Sequence, residues 1–154
     1  MSDGQPSKSP VDILLVEDNP GDIRLTEEAF RESQLANTLH VVTDGIEALD
    51  FLRQTGDYAD ATRPDIILLD LNLPRMNGDE VLEQIHEELP DISRIPVIIL
   101  TSSETEEDIA KSYELWANAY MTKPVDPAEF IETIQTFNLF WLEIVQLPSK
   151  ERSQ

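Results

Sequence analysis

The sequence predicts a doubly wound α/β fold, a five-stranded parallel sheet with helices on both faces. Short runs rich in Val, Ile and Leu, at 11–16, 66–69 and 96–100, the second of them uninterrupted, have the pattern of strands buried on both faces. Stretches with helical spacing of apolar residues alternate with them, which implies right-handed crossovers and parallel strands. The runs end abruptly in polar residues: Glu17-Asp18, Asp70, Thr101 and, after a shorter run, Lys123. Ligands of open α/β sheets gather outside the carboxyl ends of the strands, so these residues are the place to look for chemistry.

Residues 1–10 hold Ser, Gly and two Pro and little that packs, so a disordered lead is expected there. The ordered domain is expected over 11–147, with 148–154 as a tail. After the strand 11–16, Asn19 suits an N-cap and Pro20 the first helical position. The helix should run to about Ser33, with Ile23, Leu25, Ala29 and Phe30 available for burial. A short strand is predicted over 39–43, then a helix over 44–54 with Ile46, Leu49, Phe51 and Leu52 apolar and Gly56 marking its end. The polar stretch 55–64 is long for a connection and reads as a surface excursion. Beyond the strand 65–70 come a helix over 79–89, stopped by Pro90, and a strand over 96–100. A helix over 104–116 has an acidic first turn that suits its dipole. A fifth strand covers 119–122, and a last helix, capped by Asp126 with Pro127 in its first turn, extends to about Gln146.

A chain of 154 residues suits one domain with a single core. With no Cys, disulfides, thiolate metal sites and Cys nucleophiles are excluded, so any metal must be held by oxygen or by His40 and His86. No run approaches the length of a membrane span, and MSDGQPSKSP lacks the apolar stretch of a signal peptide, which makes the expected location cytoplasmic. Eleven Lys plus Arg against 31 Asp plus Glu give a net charge of -20. That charge repels nucleic acid phosphates and argues against DNA binding. The acids are spread along the whole chain, a pattern expected of a halophilic protein adapted to high intracellular salt. Its signature is a melting temperature that rises from low to multimolar KCl; an ordinary acidic protein would show no such rise.

A parallel sheet brings Glu17, Asp18, Asp70, Thr101 and Lys123 to one edge. Three carboxylates in one pocket need a compensating cation, and with oxygen donors the natural partner is a hard ion such as Mg²⁺. Asp70 is then a candidate nucleophile toward phosphorus, with Lys123 neutralising phosphoryl oxygens and the Thr101 hydroxyl donating a hydrogen bond. Each residue also has an ordinary reading. Asp70 would be a turn or cap residue, Lys123 a surface lysine, Thr101 a strand-end hydroxyl and Glu17-Asp18 a helix-start acid pair. His40 and His86 lie off this edge and read as structural or solvated.

Four motifs in order, LLVEDNP, Asp70-x-x-x-Pro74-x-x-x-Gly78, LTSS and YMTKP, resemble those of the receiver domains of two-component response regulators. The pattern is similar to the single-domain chemotaxis and phytochrome-associated regulators and covers about 11–147. The resemblance implies a flavodoxin-like sheet of order 2-1-3-4-5 and Asp70 as the phosphoacceptor. Glu17 and Asp18 would be the acidic pair that binds Mg²⁺, and the backbone carbonyl of Asn72 would complete the metal shell. Thr101 would be the switch hydroxyl, Lys123 the phosphate-pairing lysine and Tyr120 the aromatic switch. Lys123-Pro124 resembles the family's cis peptide. The excursion at 55–64 is longer than in minimal members.

The expected function is phosphoryl transfer from a sensor histidine kinase or phosphotransfer protein to Asp70, read out as phosphorylation-dependent protein binding. No segment after Pro148 could form an effector domain, so a diffusible signal or phosphorelay intermediate is expected. A different class, an aspartate-nucleophile phosphohydrolase, wants an Asp two residues beyond its nucleophile, where this chain has Asn72. A degenerate receiver that only binds partners is the third reading. The last helix holds more apolar residues than one face accommodates: Phe130, Ile134, Phe137, Trp141 and Val145 suit the core, while Phe140 and Ile144 face elsewhere. With Tyr113 and Trp116 of the preceding helix they suggest a partner or homodimer surface. The extra apolar groups covering the protein's own core is the alternative.

Overall fold

Each central strand buries alternate residues on opposite sides, and that alternation sorts the core into two layers. The structure, a computed structural model, describes residues 10–33, 35–88, 92, 94–102 and 119–135. Strands β1 (Val11–Val16), β2 (Asn37–Val42), β3 (Ile66–Asp70), β4 (Val97–Thr101) and β5 (Ala119–Thr122) form one sheet in the order β2-β1-β3-β4-β5. Every pairing is parallel. This is the predicted doubly wound architecture with the predicted order.

Leu14, Val16, Ile67, Leu69, Val97 and Ile99 pack on one face with Leu49 and Leu52 of α2 (Gly45–Arg53) and Val81, Leu82 and Ile85 of α3 (Gly78–Glu88). Ile13, Leu15, Ile66, Leu68, Ile98 and Leu100 pack on the other with Phe30 of α1 (Pro20–Arg31) and Phe130 of α4 (Pro127–Gln135). Phe30 and Phe130 meet edge to face, with ring centroids 5.0 Å apart. The central strands β3 and β4 are buried at every residue, which is why they read as continuous apolar runs.

The helix starts follow their caps. Asn19 Oδ1 accepts from the Asp22 backbone N–H at 2.9 Å with Pro20 next in line, and Asp44 Oδ1 accepts from the Glu47 N–H at 2.7 Å. Asp126 Oδ1 accepts from the Ala128 N–H at 3.3 Å, the predicted cap of α4.

Some details depart from the sequence reading. On α1, Leu25 is 52% exposed, whereas Thr26 is buried and returns its hydroxyl to the Asp22 carbonyl at 2.8 Å. The buried stripe passes through Thr26 and Phe30, and Leu25 lies one residue off it. On α2 the left-handed terminator is Gln54 (φ 59), not Gly56, which opens a short 3-10 turn, Gly56–Tyr58. Gln54 is fastened by its side chain, whose Nε2 donates to the Ala61 carbonyl at 2.6 Å. The excursion at 55–64 is therefore tied down. Tyr58 and Ala61 pack against the core, and the Tyr58 hydroxyl donates to Glu47 Oε2 at 3.3 Å. The lead at 1–9, the helix predicted over 104–116 and everything after 135 lie outside the described residues.

The loop from β3 to α3 is packed tightly enough to require glycine. The Gly78 N–H donates to the Leu71 carbonyl at 2.9 Å, and a Cβ at residue 78 would run into the Asp70 carbonyl oxygen. Arg75, with φ 65, reaches back from this loop to Asp44 Oδ2 at 2.9 Å, joining it to the start of α2.

Candidate functional site

The register of the sheet decides which strand ends meet. Val16 lies opposite Leu69 on one side and Val42 on the other, so Glu17 leaves β1 beside Asp70, the last residue of β3. The Glu17 backbone N–H donates to the Val42 carbonyl at 3.0 Å, which fixes it against the end of β2. Thr101 ends β4 and accepts at its carbonyl from the Lys123 backbone N–H at 2.8 Å. The Lys123-Pro124 peptide is cis.

These constraints bring together Glu17, Asp18, Asp70 and Lys123 as the sequence predicted. Glu17 and Asp70 are buried and Asp18 is exposed, and one carboxylate oxygen from each lies within 4.8 Å of the others. The Lys123 ammonium donates to Glu17 Oε1 at 3.0 Å, Asp22 Oδ2 at 3.1 Å and Asp70 Oδ2 at 3.2 Å. Asp70 Oδ1 accepts from the Asn72 backbone N–H at 3.2 Å, and Glu17 Oε2 from the Asn19 N–H at 3.1 Å. Both buried carboxylates are thus held by a backbone donor on one oxygen and by the ammonium on the other.

Thr101 is buried, and its hydroxyl donates to the Met121 carbonyl at 3.3 Å. Tyr120, on β5, is exposed. His40 is engaged elsewhere, with Nε2 and Asp12 Oδ1 2.9 Å apart, and His86 is exposed on α3. Tyr113, Trp116, Phe140 and Ile144 lie outside the described residues. Sequence reading missed Asp22. It stands in the first turn of a helix, where an acid is ordinarily explained by the dipole, and only the fold shows that this turn overhangs the pocket.

Electrostatically the pocket holds more carboxylates than cations. Burial is the main influence on Glu17 and raises its pKa from 4.5 to about 7; the Lys123 hydrogen bond and the Asn19 N–H oppose the rise, and the Asp70 charge adds to it. Burial alone would lower the Lys123 pKa, but its hydrogen bonds to Glu17 and Asp22 and the Asp70 charge outweigh it, so the ammonium stays charged well into the alkaline range.

A family model described as the response regulator receiver domain matches residues 13–135. The chain belongs to the response regulator receiver family. Response regulator Rcp1 of Synechocystis sp. is 45% identical over 143 residues, spanning 93% of this chain and 97% of Rcp1. The crystal structure of its Mn²⁺-bound form superposes with a TM-score of 0.69 at 45% identity, covering 90% of this receiver and 99% of that chain. The phosphorylated cyanobacterial phytochrome response regulator RcpA gives a TM-score of 0.69 at 45% identity, with 92% and 100% covered.

Receiver domains bind Mg²⁺ or Mn²⁺ in an acidic pocket, and the Glu17, Asp18 and Asp70 cluster of this receiver offers the oxygen-only donor set that such ions take. No helix among the described residues is long and apolar enough to cross a membrane.

The raised Glu17 pKa gives a pH dependence with a definite sign. Between pH 4.5 and about 7 the folded receiver holds a proton that the unfolded chain has released. This group therefore stabilises the fold as pH falls through 7, and that contribution is absent above 7. A divalent ion that took Glu17 as a ligand would need the ionised carboxylate and would have to displace that proton below pH 7. The rise in melting temperature on adding Mg²⁺ should be larger well above pH 7 than well below it. Equal shifts on both sides would argue against Glu17 as a ligand of the ion.

Proposed function

We propose that Asp70 is the residue of this receiver that accepts a phosphoryl group from the phosphohistidine of a sensor histidine kinase or phosphotransfer protein. The Asp70 carboxylate attacks phosphorus, an O–P bond forms, the P–N bond to the donor imidazole breaks, and the imidazole leaves with its electron pair and takes up a proton. The observation that carries this reading is the placement of the Lys123 ammonium, 3.2 Å from Asp70 Oδ2 and 3.0 Å from Glu17 Oε1. Phosphoryl oxygens carried on Asp70 would lie beside this ammonium, which would stabilise their charge. Mg²⁺ held by Glu17, Asp18, Asp70 and the Asn72 carbonyl would supply further positive charge to those oxygens.

The Thr101 hydroxyl, now on the Met121 carbonyl, is proposed to turn toward the phosphoryl group, leaving space that the exposed Tyr120 ring moves to fill. Binding of partners then differs between the two states, and turnover is limited to slow loss of the phosphoryl group to water. Phosphohydrolase chemistry is less well supported because Asn72 offers no carboxylic acid as general acid. The phytochrome-linked relative RcpA makes a light-sensing histidine kinase the first donor to try. A homodimer through Tyr113, Trp116, Phe140 and Ile144 is proposed on the sequence pattern alone, and sedimentation equilibrium of wild type against Phe140→Asp tests it.

The function is tested by incubating the full chain with Mg²⁺ and a small phosphodonor. We expect one phosphoryl group per chain, loss of labelling in EDTA, and ring signals of Tyr120 that shift toward a buried environment in the same sample. Labelling that persists in EDTA, or Tyr120 signals that do not move, would contradict the corresponding part of the proposal.

A further inference from the structure

Lys123 has three ammonium protons and three carboxylate partners, but those partners are not equivalent. Glu17 and Asp70 belong to the oxygen cluster that fits an ion, whereas Asp22 does not. Asp22 stands in the first turn of α1, with its backbone N–H on Asn19 Oδ1 at 2.9 Å and its carbonyl accepting the Thr26 hydroxyl at 2.8 Å. The helix cap therefore fixes its backbone without drawing on the Glu17, Asp18 and Asp70 cluster. The Lys123 side chain is only 13% exposed and that of Asp22 35%, so the ammonium has little access to water and needs a protein partner.

We infer that Asp22 is a positioning residue for Lys123: it keeps the ammonium when a divalent ion draws Glu17 and Asp70 away, and holds it where the phosphoryl oxygens arrive. An ion among Glu17, Asp18 and Asp70 repels a cation 3.0 to 3.2 Å from two of those carboxylates. With Asp22 present, Lys123 gives up two ionic contacts and keeps the third. Without it, Lys123 must either stay on Glu17 and Asp70 and oppose the ion or be left buried with no counter-charge. Asp22 therefore favours ion binding through Lys123, in addition to whatever its own charge contributes across space.

The inference rests on the pocket reading proposed above, and a double-mutant cycle separates the two. Mg²⁺ alone is titrated calorimetrically into the full chain as wild type, Asp22→Asn, Lys123→Met and the double variant, in KCl sufficient to screen charges that are not in contact. Asp22→Asn should weaken Mg²⁺ binding by about three- to tenfold when Lys123 is present and by less than about twofold when it is Met, since coupled neighbours show interaction terms of this order. Asp22→Glu, which keeps the carboxylate, should recover part of the loss even if the Asn variant is poorly folded. Equal weakening in both backgrounds, no weakening with Lys123 present, or no recovery by Glu would overturn the role assigned to Asp22 while leaving the pocket reading intact. A wild type that binds no Mg²⁺ would overturn the pocket reading and this inference with it.

Discussion

Lys123→Met is expected to slow phosphoryl transfer to this receiver by about 100- to 1000-fold, the range seen when one preorganised donor to a developing anion is removed. The expectation follows from the ammonium's place, 3.2 Å from Asp70 Oδ2 and 3.0 Å from Glu17 Oε1. The same substitution should tighten Mg²⁺ binding, because it removes the cation that competes for those carboxylates. Slower transfer with tighter ion binding is the combination to look for in single-turnover assays and calorimetry. A general disruption of the pocket would weaken both. The full cost of about 3–5 kcal/mol for breaking a buried ion pair is not expected in stability, because Glu17, with a pKa already near 7, can take up a proton in place of its lost partner. Unchanged transfer in Lys123→Met would remove Lys123 from the chemistry.

Phe130→Ala is expected to cost about 3–5 kcal/mol of stability, the usual penalty for truncating a fully enclosed aromatic ring. Phe130 is 0% exposed and meets Phe30 edge to face, so its loss removes the contact joining α4 to α1 across one face of the sheet. That contact also ties together the helix bearing Asp22 and the segment that follows Lys123. Urea unfolding should show a lower midpoint with little change in slope. A loss below about 1 kcal/mol would mean that the two helices do not pack as described.

The pocket was legible in the sequence for a physical reason. In a parallel sheet every strand runs the same way, so the residues that end the buried runs must share an edge, and Glu17, Asp18, Asp70, Thr101 and Lys123 each end or directly follow such a run. Strand order was legible only through family resemblance, because local pattern does not say which strands pair. What stayed hidden depends on how helices and loops are oriented over the sheet. Asp22 looked like an ordinary first-turn acid, and its reach to Lys123 depends on where α1 starts relative to β5. Leu25 looked like a core residue because Leu is apolar, whereas the buried stripe of α1 falls on Thr26, a residue whose hydroxyl is satisfied within the helix. Gln54 took the left-handed position expected at a glycine because its side chain finds Ala61, a partner seven residues away in the excursion. Arg75 and Asp44, which join the loop after β3 to the start of α2, are 31 residues apart and carry no joint signal in the sequence.

The phosphoryl group is expected to reside on Asp70. Its most direct measurement is peptide mapping by mass spectrometry of the full chain after incubation with Mg²⁺ and a small phosphodonor, with borohydride used to trap the acyl phosphate. A single modified peptide, containing Asp70, is expected, and it should disappear in Asp70→Asn and in EDTA. Modification mapping to any other residue, or persisting in Asp70→Asn, would contradict it.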